Sequence, residues 1–180
     1  MSKKILIIKG SGRKNGYTNR ICDEIVDFLK DEEAVIFDTY AENFSACNGC
    51  NFCETSGRCI NTDLDAFYKS FEECDEIIFL SPVYNGTFSG PLKSLIDRFQ
   101  VYYTSFYHNN KKQPIEKKRL AYLVVASGRG GEKAFEYMQS QLKCAFTILN
   151  VEMKEAFLCP YTDSGADCSG VIEEIKRSLK

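Results

Sequence analysis

Apolar and polar positions fall in blocks along this chain, and the blocks change period. Ile5–Ile8 is an unbroken apolar run, the pattern of a strand buried on both faces of a parallel sheet. It ends at Gly10. From about Tyr17 the apolar positions shift to helical spacing, with Ile21, Ile25 and Leu29 on one stripe and Cys22 and Val26 beside it. Ala34–Phe37 predicts a second strand. Residues 63–71 predict a helix with Leu64, Phe67 and Phe71 on one face and Asn61 or Thr62 as its cap, Thr62 being favoured because it stands immediately before the first helical residue. Glu76–Leu80 predicts a third strand, the loop Ser81–Gly86 follows, and Leu92, Leu95, Ile96 and Phe99 mark the next helix. Leu120–Ala126 predicts a fourth strand, ending in a second Gly-rich loop, Ser127–Gly131. A helix through Phe135, Met138, Leu142 and Phe146 comes after it. Val151–Phe157 predicts a fifth strand, and Val171, Ile172, Ile175 and Leu179 a last helix. Apart from a cysteine-rich segment, Val101–Lys117 reads as the one long irregular stretch.

Strands and helices alternate throughout, which predicts an α/β fold with right-handed crossovers. Five strands and five helices fit a three-layer sandwich around a doubly wound, five-stranded parallel sheet of order 2-1-3-4-5. The expectation is one domain over residues 1–180 with a cysteine-rich insertion at 47–59. In this arrangement the strand order reverses between strands one and three. Ligands sit there, beyond the carboxyl ends of the strands. The loops after strands one, three and four, GSGRKNGYTN, SPVYNG and SGRGG, should therefore converge.

The first loop leads from a strand into a helix. Loop amides and a helix N-terminus present free N–H groups that an anionic phosphate satisfies, helped by the helix dipole. Ser11, Thr18 and Asn19 add neutral donors and Arg13 adds a charge. An ordinary Gly-rich βα turn is the competing reading. Gly10, Gly12 and Gly16 miss the dinucleotide fingerprint by one residue, and no Gly-Lys-Ser/Thr follows for a P-loop. A mononucleotide-type phosphate site is left.

The net charge of -2 gives no general attraction to nucleic acid or an anionic membrane. No apolar run approaches membrane-spanning length. No signal peptide is visible, so a cytoplasmic location is expected. Nine cysteines are many for such a chain, and in a reducing compartment a disulfide framework is not their explanation.

Gly10-Ser11 with Arg13, Asn15-Gly16 and Thr18, then Ser81-Pro82-Val83-Tyr84 with Gly86, then Leu92-Lys93 and Asp97-Arg98, together resemble the NAD(P)H-dependent FMN reductases of the flavodoxin-like superfamily. The resemblance covers nearly the whole chain, least clearly after about residue 160. It implies FMN as cofactor and NAD(P)H as co-substrate. Ser11, Arg13, Gly16, Tyr17, Thr18 and Asn19 would lie around the phosphate. Pro82, Val83, Tyr84, Asn85 and Gly86 would line the ring system, and Ser127, Gly128, Gly130 and Gly131 would approach its other edge. The sequence departs from the family pattern at Gly12, where many relatives carry proline, and at Tyr17. Lys93, Asp97 and Arg98 sit at helical spacing and read as a surface ion-pair set. The implied acceptor is a quinone, a nitro compound, a flavin or a protein-bound group. No side chain is needed as a catalyst, because the cofactor supplies the chemistry. The alternative is a non-enzymatic FMN/iron–sulfur electron-transfer flavoprotein. A zinc-bearing binding module is a third reading.

Cys47, Cys50, Cys53 and Cys59 form a C-x2-C-x2-C-x5-C pattern, and four thiolates this close suit a soft metal. The arrangement resembles that of iron–sulfur flavoproteins, which pair FMN with a [4Fe–4S] cluster. Structural zinc and a metal-free thiol loop are the other occupancies the spacing allows. The segment follows strand two and so emerges at the same end of the sheet as the flavin loops. Of the remaining cysteines, Cys22 and Cys144 read as core residues of helices, while Cys159 and Cys168 could pair or lie free. Tyr102, Tyr103, Phe106, Tyr107 and His108 make an aromatic patch. It is expected to be a contact between copies, in a homodimer or homotetramer, or a cover over the cofactor.

Overall fold

The computed structural model describes residues 2–108 and 112–180. Its sheet has five parallel strands in the order β2-β1-β3-β4-β5. They are β1 (Lys4–Lys9), β2 (Glu33–Asp38), β3 (Glu76–Pro82), β4 (Arg119–Ala126) and β5 (Val151–Cys159). The helices are α1 (Tyr17–Phe28), α2 (Phe52–Ser56), α3 (Asp65–Glu73), α4 (Gly90–Asp97), α5 (Gln100–His108), α6 (Glu132–Leu149) and α7 (Ser169–Ser178), with a 3₁₀ turn at Thr162–Ser164. The doubly wound three-layer sandwich expected from the blocks is the observed architecture, with order 2-1-3-4-5.

Alternation along the central strands splits the core in two, because successive side chains point to opposite faces. Ile5, Ile7, Ile78, Leu80, Tyr122 and Val124 pack with Ile21 and Ile25 of α1 and Ile175 of α7. Leu6, Ile8, Ile77, Phe79, Leu123 and Val125 pack with Phe67 and Phe71 of α3, Leu92 and Leu95 of α4, and Met138 and Leu142 of α6. β2 lies at an edge, and there Val35 and Ile36 are exposed.

Four local expectations are corrected. Residues 101–108 are helical in α5, although Val101–Lys117 was expected to be irregular; residues 109–111 of that stretch lie outside the described residues. The helix hid because Val101, Tyr102 and Thr104 face inward while Tyr103 and Tyr107 face solvent. Aromatic and β-branched residues, poor helix formers, thus occupy both sides. Thr62 does not cap α3: the N-cap position is Leu64, with no side-chain cap. Cys144 is exposed on α6 rather than in the core, whereas Cys22 is buried. The short helix α2, inside the cysteine segment, was not expected. No helix is long and apolar enough to cross a membrane among the described residues.

Candidate functional site: a cleft at the strand ends and a cysteine pocket beside α5

Backbone hydrogen bonds lock the carboxyl ends of the strands together. The Gly10 amide donates to the Leu80 carbonyl at 2.7 Å and Val83 to Ala126 at 2.9 Å. Ser127 donates to Cys159 at 2.9 Å, Thr162 to Ser127 at 2.9 Å and Asp163 to Gly128 at 3.2 Å. Gly10 is required by close approach: a Cβ there would stand 2.7 Å from the Leu92 side chain and 2.9 Å from the Leu80 carbonyl oxygen. Above this rim lies a cleft of about 520 Å³.

The cleft brings together nine of the fifteen nucleotide-site candidates: Ser11, Arg13, Gly16, Tyr17, Thr18, Pro82, Val83, Tyr84 and Gly128. Asn15, Ala126, Thr162 and Asp163 line it as well. Thr162 and Asp163 were missed because nothing in the pattern near residue 160 marks a site; only the loop after β5 folding back onto Ser127 and Gly128 brings them in. Asn19, Asn85, Gly86, Ser127, Gly130 and Gly131 do not line the cleft.

Local chemistry explains those absences. Asn85 (φ 50°) and Gly86 (φ 81°) form the two-residue tip of a small hairpin, with Tyr84 and Thr87 exchanging backbone hydrogen bonds at 2.9 and 3.1 Å. Asn-Gly is the favoured pair for such a tip, and neither residue is among those that line the cleft. Ser127 is 3 % exposed, and its hydroxyl fills the space over Gly131.

The entrance to α1 is suited to an anion. No side chain caps its N-terminus, and its first turn has no acidic residue. Bare N–H groups, the positive end of the dipole and the Arg13 guanidinium then share one corner. Arg13 lies 5.8 Å from the centre of the Tyr84 ring, so it spans two of the three loops. Asn19 is buried with its Oδ1 unpartnered. Gly12 also finds its reason: a Cβ there would meet the Tyr40 ring at 2.6 Å, so the ring occupies space that a larger residue would need. Bare amides, an arginine and an aromatic wall fit the phosphate and ring of a mononucleotide.

The cysteine segment makes a second pocket of about 30 Å³. Cys47, Cys50, Cys53 and Cys59 all line it, with Ile60, Asn61, Arg98, Gln100 and Val101 among the other walls. Among the described residues no histidine or carboxylate lines it. Among the described residues no three potential ligands are drawn to a common metal position. The segment follows β2 and so leaves the same end of the parallel sheet as the flavin loops, while the two pockets share no lining residue among the described residues.

Arg98, expected on the surface, is buried at 2 % exposure. Its NH1 donates to the Ser45 carbonyl at 2.7 Å, and its NH2 to the Asn61 carbonyl at 3.1 Å and Asp63 Oδ1 at 2.8 Å. Asp63 Oδ2 accepts from the Ser45 amide at 2.8 Å. Ser45 and Asn61 flank the four cysteines, so one guanidinium fastens both ends of the segment. Its Nε is buried with no partner. Burial alone would lower the Arg98 pKa, but Asp63, Tyr68 and Cys59 outweigh that and raise it. Asp63 is pushed up by burial, yet its bonds from Arg98 and Ser45 bring it below the usual carboxylate range. Lys93 and Asp97 do form an exposed i,i+4 pair.

The remaining sulfurs are placed elsewhere. Cys159 and Cys168 are in disulfide contact, with Cα atoms 5.7 Å apart. Burial pushes the Cys22 and Cys74 thiols up to about 11, which leaves both protonated and inert. His108 is exposed at the end of α5 and does not line the cleft.

Comparison with known proteins places the chain in a family. Residues 3–157 match the family model described as NADPH-dependent FMN reductase. An iron-sulfur flavoprotein of Methanocaldococcus jannaschii is 34% identical over 133 residues, which is 72% of this chain and 66% of that protein. One of Methanosarcina thermophila is 30% identical over 132 residues, 71% of this chain and 65% of that protein. The matched stretches thus span slightly under two-thirds of these relatives' length. Among solved structures, an NAD(P)H:quinone oxidoreductase from Methanothermobacter marburgensis superposes with a TM-score of 0.71 at 17% identity, covering 99% of this chain and 93% of that one. An azoreductase from Bacillus anthracis gives 0.69 at 17% identity, covering 98% of each. At such identities the two structures speak for the fold alone. The family match takes in β1, the open entrance of α1 and the rims of β3 and β4, and on it this chain belongs to the NADPH-dependent FMN reductase family.

Proposed function

We propose that the cleft at the strand ends binds FMN and that the protein is an FMN-dependent oxidoreductase drawing on NAD(P)H. The observation that carries this is the convergence of Arg13, the bare α1 entrance and the Tyr84 ring on one cleft. Ser11, Arg13, Gly16, Tyr17 and Thr18 would hold the phosphate. Pro82, Val83, Tyr84 and Gly128 would flank the ring, and Asn19, Asn85, Gly86, Ser127, Gly130 and Gly131 would support these loops from behind. Bound there, FMN would accept hydride from NAD(P)H and pass electrons to a quinone, a nitro compound, a flavin or a protein-bound acceptor. The chain's own task is to fix the ring with rigid backbone and to exclude water from one face with Tyr84 and Val83. Asp163 is the only carboxylate in the cleft wall among the described residues and gives that edge a negative charge.

Cys47, Cys50, Cys53 and Cys59 are the proposed ligands of a [4Fe–4S] cluster, which would supply one-electron transfer. An all-sulfur donor set in one pocket with a buried arginine supports this reading. The names of the relatives point the same way. The thiols of Cys47 and Cys50 are exposed, which suits a reducing, cytoplasmic setting. Tyr103 and Tyr107 stand exposed on α5 with ring centres 4.6 Å apart and are the proposed contact in a homodimer or homotetramer.

Anaerobic purification with absorbance, iron, sulfide and zinc measured together tests both cofactors. A flavin spectrum with iron and sulfide is expected; protein that stays colourless when offered FMN overturns the first proposal, and zinc alone overturns the second. Turnover of NAD(P)H by the loaded protein supports the enzyme. Its absence, with rapid reduction by a ferredoxin, would favour the electron-transfer reading.

A further inference from the structure

We infer that Arg98 is the positioning residue of the cysteine site: it ties the two ends of the cysteine segment together and sets a buried positive charge beside an anionic iron–sulfur group. The inference rests on the proposal that the four cysteines hold such a cluster.

Three features of the structure carry it. First, Arg98 bonds on both sides of the cysteines. It reaches Ser45 before them and Asn61 and Asp63 after them, from a helix end that belongs to neither flank. Closing a loop of this length costs chain entropy, and the guanidinium fork meets that cost before any metal arrives. Second, the side chain is 1 % exposed, while its carboxylate partner Asp63 is 23 % exposed. The positive member of the pair is the deeper one, in the wall of the thiol pocket. Third, the Arg98 Nε is buried with no hydrogen-bond partner. A buried donor left unpaired is costly, and a thiolate or bridging sulfide is an acceptor of the kind it lacks. Among the described residues no other cationic side chain lines this pocket.

The physical consequence is specific. One-electron reduction of a cluster held by four thiolates adds one negative charge and makes or breaks no bond. A cation fixed in a low-dielectric wall favours the more negative state and raises the reduction potential. Asp63 opposes Arg98 in this role, since it carries the other charge of the pair.

The test uses the full chain, reconstituted anaerobically with iron and sulfide. Potential is read by a dithionite titration with mediators followed by electron paramagnetic resonance, and iron and FMN content are read on the same samples. Arg98→Gln is expected to lower the reduction constant about tenfold, which is about 59 mV for a one-electron couple, and to speed loss of iron to a chelator. Arg98→Lys, which keeps the charge but not the fork, should hold the potential near the parent value yet lose iron faster. Asp63→Asn should move the potential upward. A merely structural arginine would not give shifts of opposite sign for the two members of one ion pair. Parent-like potential in Arg98→Gln overturns the inference. Should Arg98→Gln fail to fold, judged by FMN content, an unshifted or lowered potential in Asp63→Asn overturns it instead. Parent protein that takes up no iron and sulfide sinks the cluster proposal itself, an outcome distinct from these.

Discussion

The two candidate sites are built in opposite ways. The nucleotide cleft is an extension of the sheet: its walls are the loops that leave β1, β3, β4 and β5, and backbone hydrogen bonds stitch rim to rim. The cysteine pocket hangs outside the sheet on a segment with one five-residue helix, and side chains fasten it. The first site inherits the stability of the core. The second stands or falls on Arg98, Asp63 and whatever the cysteines bind. A site that grips a ring needs the rigidity of strand ends, whereas a metal supplies its own bonds and can organise a loose loop.

The largest test of this contrast is to remove the second site altogether. Replacing Cys47, Cys50, Cys53 and Cys59 by Ser together should abolish iron binding completely and leave FMN content unchanged, since the two pockets share no wall. Iron analysis and flavin absorbance on one preparation decide it; loss of both would show that the pockets are coupled. Next in size is the reverse experiment. Arg13→Ala with Thr18→Ala would remove the proposed charge-assisted and neutral contacts to the phosphate. Together these are worth about 3 kcal/mol, roughly a hundredfold in the Kd for FMN by fluorescence titration. The iron content should not move. Unchanged FMN affinity would mean that the phosphate lies elsewhere.

Acid should separate the regions without any mutation. Asp63 has a depressed pKa in the folded protein, so the stability it contributes is present above the ordinary carboxylate value and is lost as pH falls through the depressed one. The carboxylate holds Arg98 and the Ser45 amide, so its protonation loosens the cysteine segment first. Hydrogen-exchange protection factors over residues 45–61, corrected for intrinsic rates, should fall below about pH 4 while those of residues 5–9 persist. A simultaneous fall would show that the segment is not an independent unit.

The same contrast governs what could be read from the sequence. Strand-borne features were legible because period and run length are local: the three core runs and their order follow from Ile5–Ile8, Glu76–Leu80, Leu120–Ala126 and their helices. The converging loops follow in turn, since topology alone brings them together. Long-range side-chain roles were not legible. Arg98 sits in an i,i+4, i,i+5 charge group with Lys93 and Asp97 that looks like a solvated face, and only the return of residues 45–63 across α4 buries it. Thr162 and Asp163 join the cleft by a hydrogen-bonded fold-back that no periodicity announces. α5 was hidden by aromatic residues on both of its faces.

The smallest effect sharpens the boundary of the nucleotide cleft. Gly86 sits at φ 81°, a conformation that costs an L-residue, but a Cβ there meets nothing within 4 Å. Gly86→Ala should therefore destabilise the fold by about 1 kcal/mol through backbone strain alone. Denaturant unfolding followed by circular dichroism reads that loss. The FMN Kd should stay within about threefold, a change of under 1 kcal/mol, because the hairpin tip does not line the cleft and Tyr84 is held by its own pair of bonds to Thr87. A larger loss of FMN affinity at unchanged stability would place the Asn85-Gly86 amides on the ligand itself, and would move the edge of the site out to the tip of the hairpin.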